Sequence, residues 1–327
     1  MRTVSLWLSV AVVSVAFCVA AGARNISAEV RSNWAVVVDA SRYWFNYRHA
    51  ANALGIYREL RDFGIPEDHI ILMLADDVAC SPRNGYPGQV FLSQKHERNV
   101  YGEAIQVDYR GPEVTVANLL RLLEGRYEPG TPANKRLDSD ENANVLLYFT
   151  GHGGEEFFKF QDREELVAID LAESVEVMAA RGRFRELLVV FDTCQADSML
   201  NRITTPGVFG ITSALTGENA YSYSSDGAVG LSTVDRFTYH TIEFLEGLTR
   251  GSQNTEKNVH EGRMARTRMD GFLEYFSPSF TISHVTARAQ LMNRTLHEIL
   301  LPDFFANSHT RTHFVPQRLV TSEWFQE

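Results

Sequence analysis

Four short runs of apolar residues stand out along the chain, with no polar alternation inside them: Trp34–Val38, Ile70–Leu74, Val145–Phe149 and Leu187–Phe191. Unbroken apolar runs of this length fit strands covered on both faces, as in a parallel sheet between layers of helices. Val208–Thr212 is a further candidate of the same kind. Helical spacing falls between them. Ala53, Ile56, Tyr57, Leu60 and Phe63 share one helical face, and Gly64 with Pro66 supplies the stop. Val116–Leu123 follows a cap at Thr115, and Leu171–Ala180 follows Asp170. Alternating strands and helices predict an α/β fold with a doubly wound, mostly parallel sheet. Ligands in such folds sit beyond the C-terminal ends of the strands.

Three segments break this alternation. The connection from Ala75 to Pro112 exceeds ordinary loop length, which points to function rather than mere linkage. Residues 251–271 are polar, mixed in charge and poor in β-branched residues, and read as a mobile loop. At the start, Arg2 precedes an uncharged run from Val4 to Ala23 with a bulky apolar centre, ending in Ala20-Ala-Gly-Ala23. This is the layout of a secretory signal peptide cut after Ala23, although the run is also just long enough for an uncleaved anchor. Cleavage would leave 304 residues with a net charge of −11, Arg2 having been removed. No later segment approaches the length of a membrane-spanning helix.

Composition narrows the class further. The chain is 44% hydrophobic and carries a net charge of −10, so it is globular and has no basic stripe for a phosphate backbone; nucleic acid is not an expected partner. Of three cysteines, Cys18 lies in the leader, leaving Cys80 and Cys194. Sequons at Asn25 and Asn293 are candidate glycosylation sites in a secretory compartment.

The candidate chemistry lies at two strand ends. The Val145–Phe149 run leads into Thr150-Gly-His-Gly-Gly154, and the Leu187–Phe191 run leads into Asp192-Thr-Cys-Gln-Ala196. Both loops are therefore expected on one edge of the sheet. A thiolate at Cys194 would be the nucleophile, with His152 able to lower the thiol pKa and later protonate a leaving amine. Glycines beside His152 allow close backbone approach, so the Gly153 and Cys194 N–H groups are candidates for an oxyanion hole. Taken singly, a cysteine after an apolar strand reads as a small core residue and a histidine as hydrogen-bonded structure; their joint placement favours catalysis. A Cys80–Cys194 disulfide would occupy both cysteines but leave the glycine-rich histidine loop unexplained. The chain has no Gly-x-Ser-x-Gly elbow, no His-Glu-x-x-His motif and no P-loop.

These segments resemble the caspase-like cysteine peptidases, and more closely the legumain family, in particular its branch of glycosylphosphatidylinositol (GPI) transamidase catalytic subunits. The resemblance runs over about residues 33–250 and includes Asn33-Trp-Ala-Val, Phe45-Asn-Tyr-Arg-His49, Leu72-Met-Leu-Ala-Asp-Asp77 and Val107-Asp-Tyr-Arg110, besides the two catalytic loops. It implies a caspase-like single catalytic domain over residues 24–250, with 251–327 a polar loop and C-terminal extension. It also implies that Cys194 is the nucleophile, His152 the general acid/base and Asn46 the residue that orients it. Arg48 and His49 match the pocket for the residue before the scissile bond, and Ser213 is placed in the same pocket. Cys80 matches a position that forms a disulfide with a PIG-T-type partner subunit. A structural calcium ion would fall at Glu67, the Ile70 carbonyl, Gln106 and Asp108, where Gln106 stands in place of a carboxylate. No metal or cofactor is required for the chemistry itself.

The function so implied is transamidation in the lumen of the endoplasmic reticulum. Precursor proteins bearing C-terminal GPI signals would be the donors and the GPI glycolipid the acceptor. The same residues serve a legumain-like endopeptidase with water as acceptor, and a non-catalytic scaffold subunit is a third reading. The C-terminal stretch Gln317–Glu327 holds no spanning helix, so membrane association is expected through partner subunits.

Overall fold

The computed structural model describes residues 33–102, 105–250 and 264–307. The leader, Asn25 and the Gln317–Glu327 tail lie outside the described residues. The strands are β1 (Asn33–Asp39), β2 (Ile70–Leu74), β3 (Tyr109–Arg110), β4 (Asn144–Thr150), β5 (Gly153–Gly154) and β6 (Phe157–Phe160). They continue as β7 (Glu164–Val167), β8 (Glu186–Asp192), β9 (Val208–Thr212), β10 (Ser222–Asp226), β11 (Leu231–Asp235) and β12 (Thr286–Arg288). The longer helices are α1 (Tyr47–Asp62), α2 (Val116–Glu124), α3 (Ala168–Ala180) and α4 (Arg236–Arg250).

The main sheet has the order β12-β9-β8-β4-β1-β2-β3 and is parallel except for β12, which runs antiparallel to β9. Both of its edge strands are two to three residues long. Alternate side chains of the central strands feed two cores. Val37, Leu72, Tyr148 and Val190 face α1 and α4, and Val36, Met73, Leu147 and Phe191 face α2 and α3. Burial on both faces is what makes the middle of each of these strands apolar without alternation. α1 ends where Gly64 takes a left-handed turn (φ +85°) and the Ile65 N–H reaches back to Leu60 O at 3.0 Å.

The five strands expected from the apolar runs are all present, β2 and β9 with the expected limits. α2 is capped by Thr115, whose hydroxyl accepts from the Asn118 N–H at 3.1 Å. α3 differs. It begins at Ala168, not after Asp170, because the Ala168 N–H is satisfied by the Glu156 carbonyl at 2.9 Å and needs no side-chain cap. Asp170 then lies in the first turn, where its charge suits the helix dipole.

The chain beyond residue 250 differs more. Residues 251–263 lie outside the described residues, but 264–271 are not a loose loop: Met264 and Met269 are buried in the α1-side core. Phe272, Ile299, Leu301 and Phe304 join them, and Asn33 Nδ2 donates to Ala306 O while Asn144 Nδ2 donates to Asp303 O at 2.7 Å. Residues 264–307 thus complete the main core, with β12 extending its sheet, rather than forming an extension. Among the described residues no helix is long and apolar enough to cross a membrane.

Candidate active site

β4 and β8 pair in parallel with Thr150 opposite Asp192, so the loops carrying His152 and Cys194 leave neighbouring strands at the same level. Their backbones are in close contact. The Gly151 N–H reaches Asp192 O at 3.4 Å, and a Cβ on Gly153 would lie 2.7 Å from Thr193 Oγ1 and 3.0 Å from Phe157 O. Glycine at 153 is therefore a packing requirement: no side chain fits between the histidine loop and the cysteine loop.

Asn46 ends a short 3-10 turn, Trp44–Asn46, and occupies the N-cap position of α1, where an asparagine side chain ordinarily accepts from its own helix. It makes no such bond. It is buried; its Nδ2 donates to Arg42 O at 2.7 Å, and its Oδ1 lies 2.8 Å from His152 Nε2. The first bond fixes which end of the amide faces His152. An oxygen facing Nε2 requires the proton on Nε2, which leaves Nδ1 as the basic nitrogen of neutral His152. Burial, then the positive charge of Arg48, holds the His152 pKa below its ordinary 6.5. The imidazole is thus neutral, and in the right tautomer to accept a proton at Nδ1.

The cysteine loop is held from several sides. The Thr193 N–H donates to Ser213 Oγ at 3.1 Å, and that hydroxyl donates to Thr193 O at 3.2 Å. Gln195, directly after the cysteine, adopts a left-handed conformation (φ +54°), and its N–H donates to Glu218 O at 2.8 Å. Ser198 Oγ donates to Gln195 O at 2.6 Å and accepts from the Glu156 N–H at 2.8 Å, so one buried hydroxyl ties the cysteine turn to the histidine loop. Cys194 itself is half-buried, with Sγ 3.9 Å from Ala220 O. Asp192, two residues before it, is buried; it accepts from Thr238 Oγ1 at 2.6 Å, and burial raises its carboxyl to about 7.

Arg48 and His49 follow Asn46 on the first turn of α1. Arg48 is half-buried, and its Nε donates to Asp235 Oδ1 at 3.0 Å. Asp235 ends β11 and also accepts from Asn52 Nδ2 at 2.6 Å. His49 Nε2 lies 3.6 Å from Asp235 Oδ2, within ion-pair range, yet burial and the nearby Arg48 charge push its pKa well below 6.5. The ring is therefore neutral and the contact is not an ion pair; its Nδ1 meets Ser41 Oγ at 2.8 Å. The His49 ring stands edge-on to His152, with centroids 4.9 Å apart. Arg48 is thus the residue of this group that reaches the surface of the site, while His49 and Ser213 lie beneath it, fully or nearly fully buried.

Asp235, Asn52 and Ser198 escaped the sequence reading. Asp235 closes a polar hairpin, β10–β11, that carries no apolar run to reveal it. Asn52 looks like an ordinary helix residue, and Ser198 like loop.

The remaining sites lie elsewhere. Cys80 is exposed, and both Cys80 and Cys194 are free thiols, so the Cys80–Cys194 disulfide does not form. The Cys80 N–H donates to Asp77 Oδ1 at 3.1 Å, and the Asp77 charge raises the Cys80 thiol pKa. Asn293 is exposed. At the calcium position, Asp108 Oδ2 accepts from the Leu72 N–H at 2.9 Å, and Oδ1 accepts from Gln106 Nε2 at 2.7 Å and Asn134 Nδ2 at 3.0 Å. Glu67 Oε1 accepts from Tyr57 OH at 3.2 Å. Gln106 turns its amide hydrogens, not its oxygen, toward Asp108, so both carboxylate oxygens already have donors. This arrangement fits a calcium ion poorly. Among the described residues no group of three His, Cys, Asp or Glu side chains is placed to hold a metal.

Several known proteins are similar to this chain. A model of the peptidase C13 family matches residues 33–290. The GPI-anchor transamidase of Saccharomyces cerevisiae is 42% identical over 289 residues, covering 87% of this chain and 66% of that one. The GPI-anchor transamidase of Homo sapiens is 45% identical over 276 residues, covering 84% of this chain and 67% of that one. A putative GPI-anchor transamidase of Drosophila melanogaster is 45% identical over 274 residues, with 84% and 74% covered. The chain spans about two thirds of the length of the yeast and human relatives.

Proposed function

This chain belongs to the peptidase C13 family, and from that membership and its site we propose that it is the catalytic subunit of a GPI-anchor transamidase. The observation that carries the reading is the placement of His152 and Cys194 just past the ends of the paired strands β4 and β8, with Asn46 bonded to His152, in a chain so similar to curated transamidases. The Cys194 thiolate attacks the carbonyl of the anchor-attachment residue of a precursor protein, after giving its proton to Nδ1 of His152. Gly153 and Cys194 N–H groups stabilise the oxyanion. His152 then protonates the departing amine, the C-terminal signal leaves, and a thioester remains. The ethanolamine amine of GPI attacks that thioester, the C–S bond breaks as the C–N bond forms, and the amine proton passes through His152 to the sulfur. Arg48, held by Asp235, lines the pocket for the attachment residue.

The setting we propose is the lumen of the endoplasmic reticulum, with membrane association through partner subunits. The exposed position of Cys80 suits an intersubunit disulfide with a PIG-T-type chain. A Cys80→Ser chain whose partner still runs at the linked mass on a non-reducing gel would refute that link.

The test of the activity uses microsomes containing this chain, a reporter with a GPI signal, and hydrazine as a surrogate amine, with Cys194→Ala as control. Mass spectrometry reads the new reporter C-terminus. A GPI amide or hydrazide lost in the control is the expected result. A free carboxylate alone, still dependent on Cys194, would make the chain a legumain-like endopeptidase. Products unchanged in the control would remove Cys194 as nucleophile.

A further inference from the structure

We propose that the exposed aromatic pair Phe45 and Tyr43, with the Arg42 guanidinium, forms the subsite for the acceptor, a hexose bearing phosphoethanolamine. The inference rests on the transamidase reading and deepens it.

Three observations meet here. Phe45 and Tyr43 are 52% and 50% exposed, although each is large and apolar, while Trp44 between them turns inward and packs edge-on against Tyr47. Their rings form a row leading outward from the catalytic imidazole: the His152 and Phe45 centroids are 6.5 Å apart, and those of Phe45 and Tyr43 are 6.4 Å apart. Tyr43 holds a backbone conformation (φ +76°, ψ 149°) that is otherwise nearly exclusive to glycine. Its N–H is anchored on Asp76 Oδ2 at 2.6 Å, and Phe45 O accepts from Arg48 Nη1 at 3.4 Å. Such strain, held at Tyr43 beside the exposed Phe45 ring that borders His152, points to function at this turn.

The chemistry of the second half-reaction says what the row meets. The incoming amine must surrender its proton to His152, so by microscopic reversibility it enters where the leaving amine departed, next to the imidazole. His49, whose ring stands edge-on to His152, and Asn46, which bonds its Nε2, are buried. Phe45 is therefore the exposed ring that borders the entering amine. In GPI the atoms that follow the amine are two carbons, a phosphate and a sugar ring. Arg42, whose guanidinium sits 5.4 Å from the Tyr43 ring centroid, offers a cation for the phosphate, and the flat aromatic faces suit the C–H face of a pyranose. A segment of the departing signal peptide occupies the same space earlier in the cycle. The proposal is that the rings are selective for the acceptor.

The test sets the two acceptors in competition in microsomes carrying the whole complex. GPI amide and hydrazide are quantified together for the parent chain, Phe45→Ala, Tyr43→Ala, Arg42→Gln and the aromatic control Phe45→Trp. Hydrazine is too small to touch the row, so the ratio of amide to hydrazide reads acceptor recognition alone. Phe45→Ala is expected to lower that ratio roughly fivefold, the scale of one lost aromatic contact, with Phe45→Trp restoring it. An unchanged ratio overturns the proposal, whether both products persist or both fall together; the latter would assign the row to the precursor chain. Absence of any Cys194-dependent amide or hydrazide from the parent would instead overturn the transamidase reading and this proposal with it.

Discussion

Asn46 caps nothing on its own helix; its amide oxygen receives the Nε2 proton of His152 at 2.8 Å. The bond selects a tautomer as well as an orientation. Asn46→Ala frees the ring to rotate and should lower kcat about 10- to 100-fold, part of the 10²–10⁴ that a positioned acid–base group supplies, with KM little changed. Asn46→Asp keeps the geometry and adds a negative charge. It should raise the His152 pKa, which burial and Arg48 now hold below 6.5, and so move the acid limb of the rate profile to higher pH. An acid limb at the same pH in both proteins would show that this contact does not govern the base.

Gly153 lies against Thr193 with no room for a methyl group. Gly153→Ala should fold, since the clash is confined to the loops, but lose at least about 10²-fold in kcat by displacing an oxyanion donor. Adding Thr193→Ala removes the 2.7 Å conflict with Oγ1 while leaving the 3.0 Å one with Phe157 O, so the double variant should recover part of the rate. Full activity in Gly153→Ala alone, in a protein of unchanged circular dichroism, would contradict the close packing of the two loops.

Asp192 carries a buried carboxyl raised to about 7 from an ordinary 3.8, first by burial and then by the charge of Asp235. A folded-state pKa above the unfolded one favours the protonated form. The stability it brings is full below pH 3.8 and is lost as the pH climbs through about 7. Asparagine at 192 can still accept from Thr238 and never ionises. Asp192→Asn should therefore gain in Tm over the parent as the pH rises from 4 to 8. Melting curves showing a pH-independent difference would argue that Asp192 is ionised throughout.

Gln106 supplies donors to Asp108 where a cation would otherwise be needed. The melting temperature of the parent chain should be the same in excess calcium and in chelator. Gln106→Glu removes the donor and adds a carboxylate beside Asp108 and Glu67, and should gain a calcium-dependent rise worth about 2.7 kcal/mol at 100-fold over Kd. A parent chain already stabilised by calcium would overturn this reading of the site.

The sequence made some of this plain and hid the rest for physical reasons. β1, β2, β4, β8 and β9 are buried on both faces, so their apolar runs announce them, and the rule that sites lie at strand C-termini leads directly to His152 and Cys194. β5, β6 and β7 were not legible: Gly153-Gly154 is a strand only because Phe157 and Phe158 pair with it, and Glu164-Glu165 has an exposed face. β10 and β11 are rich in serine, and their pairing places Asp235 under Arg48 by a contact 187 residues long in sequence. No local pattern reports such a contact. Polar residues 264–271 misled in the other direction, since two methionines suffice to seat them in the core.

The two rims of the main sheet, β3 and β12, are only two and three residues long. A neighbouring chain could add no more than a couple of ladder hydrogen bonds at either end, too few to build a shared sheet. At these two rims, among the described residues, a partner chain would meet loops and helix faces rather than a strand ladder, and the strand framework beneath the thiol and imidazole would stay undisturbed by its coming and going.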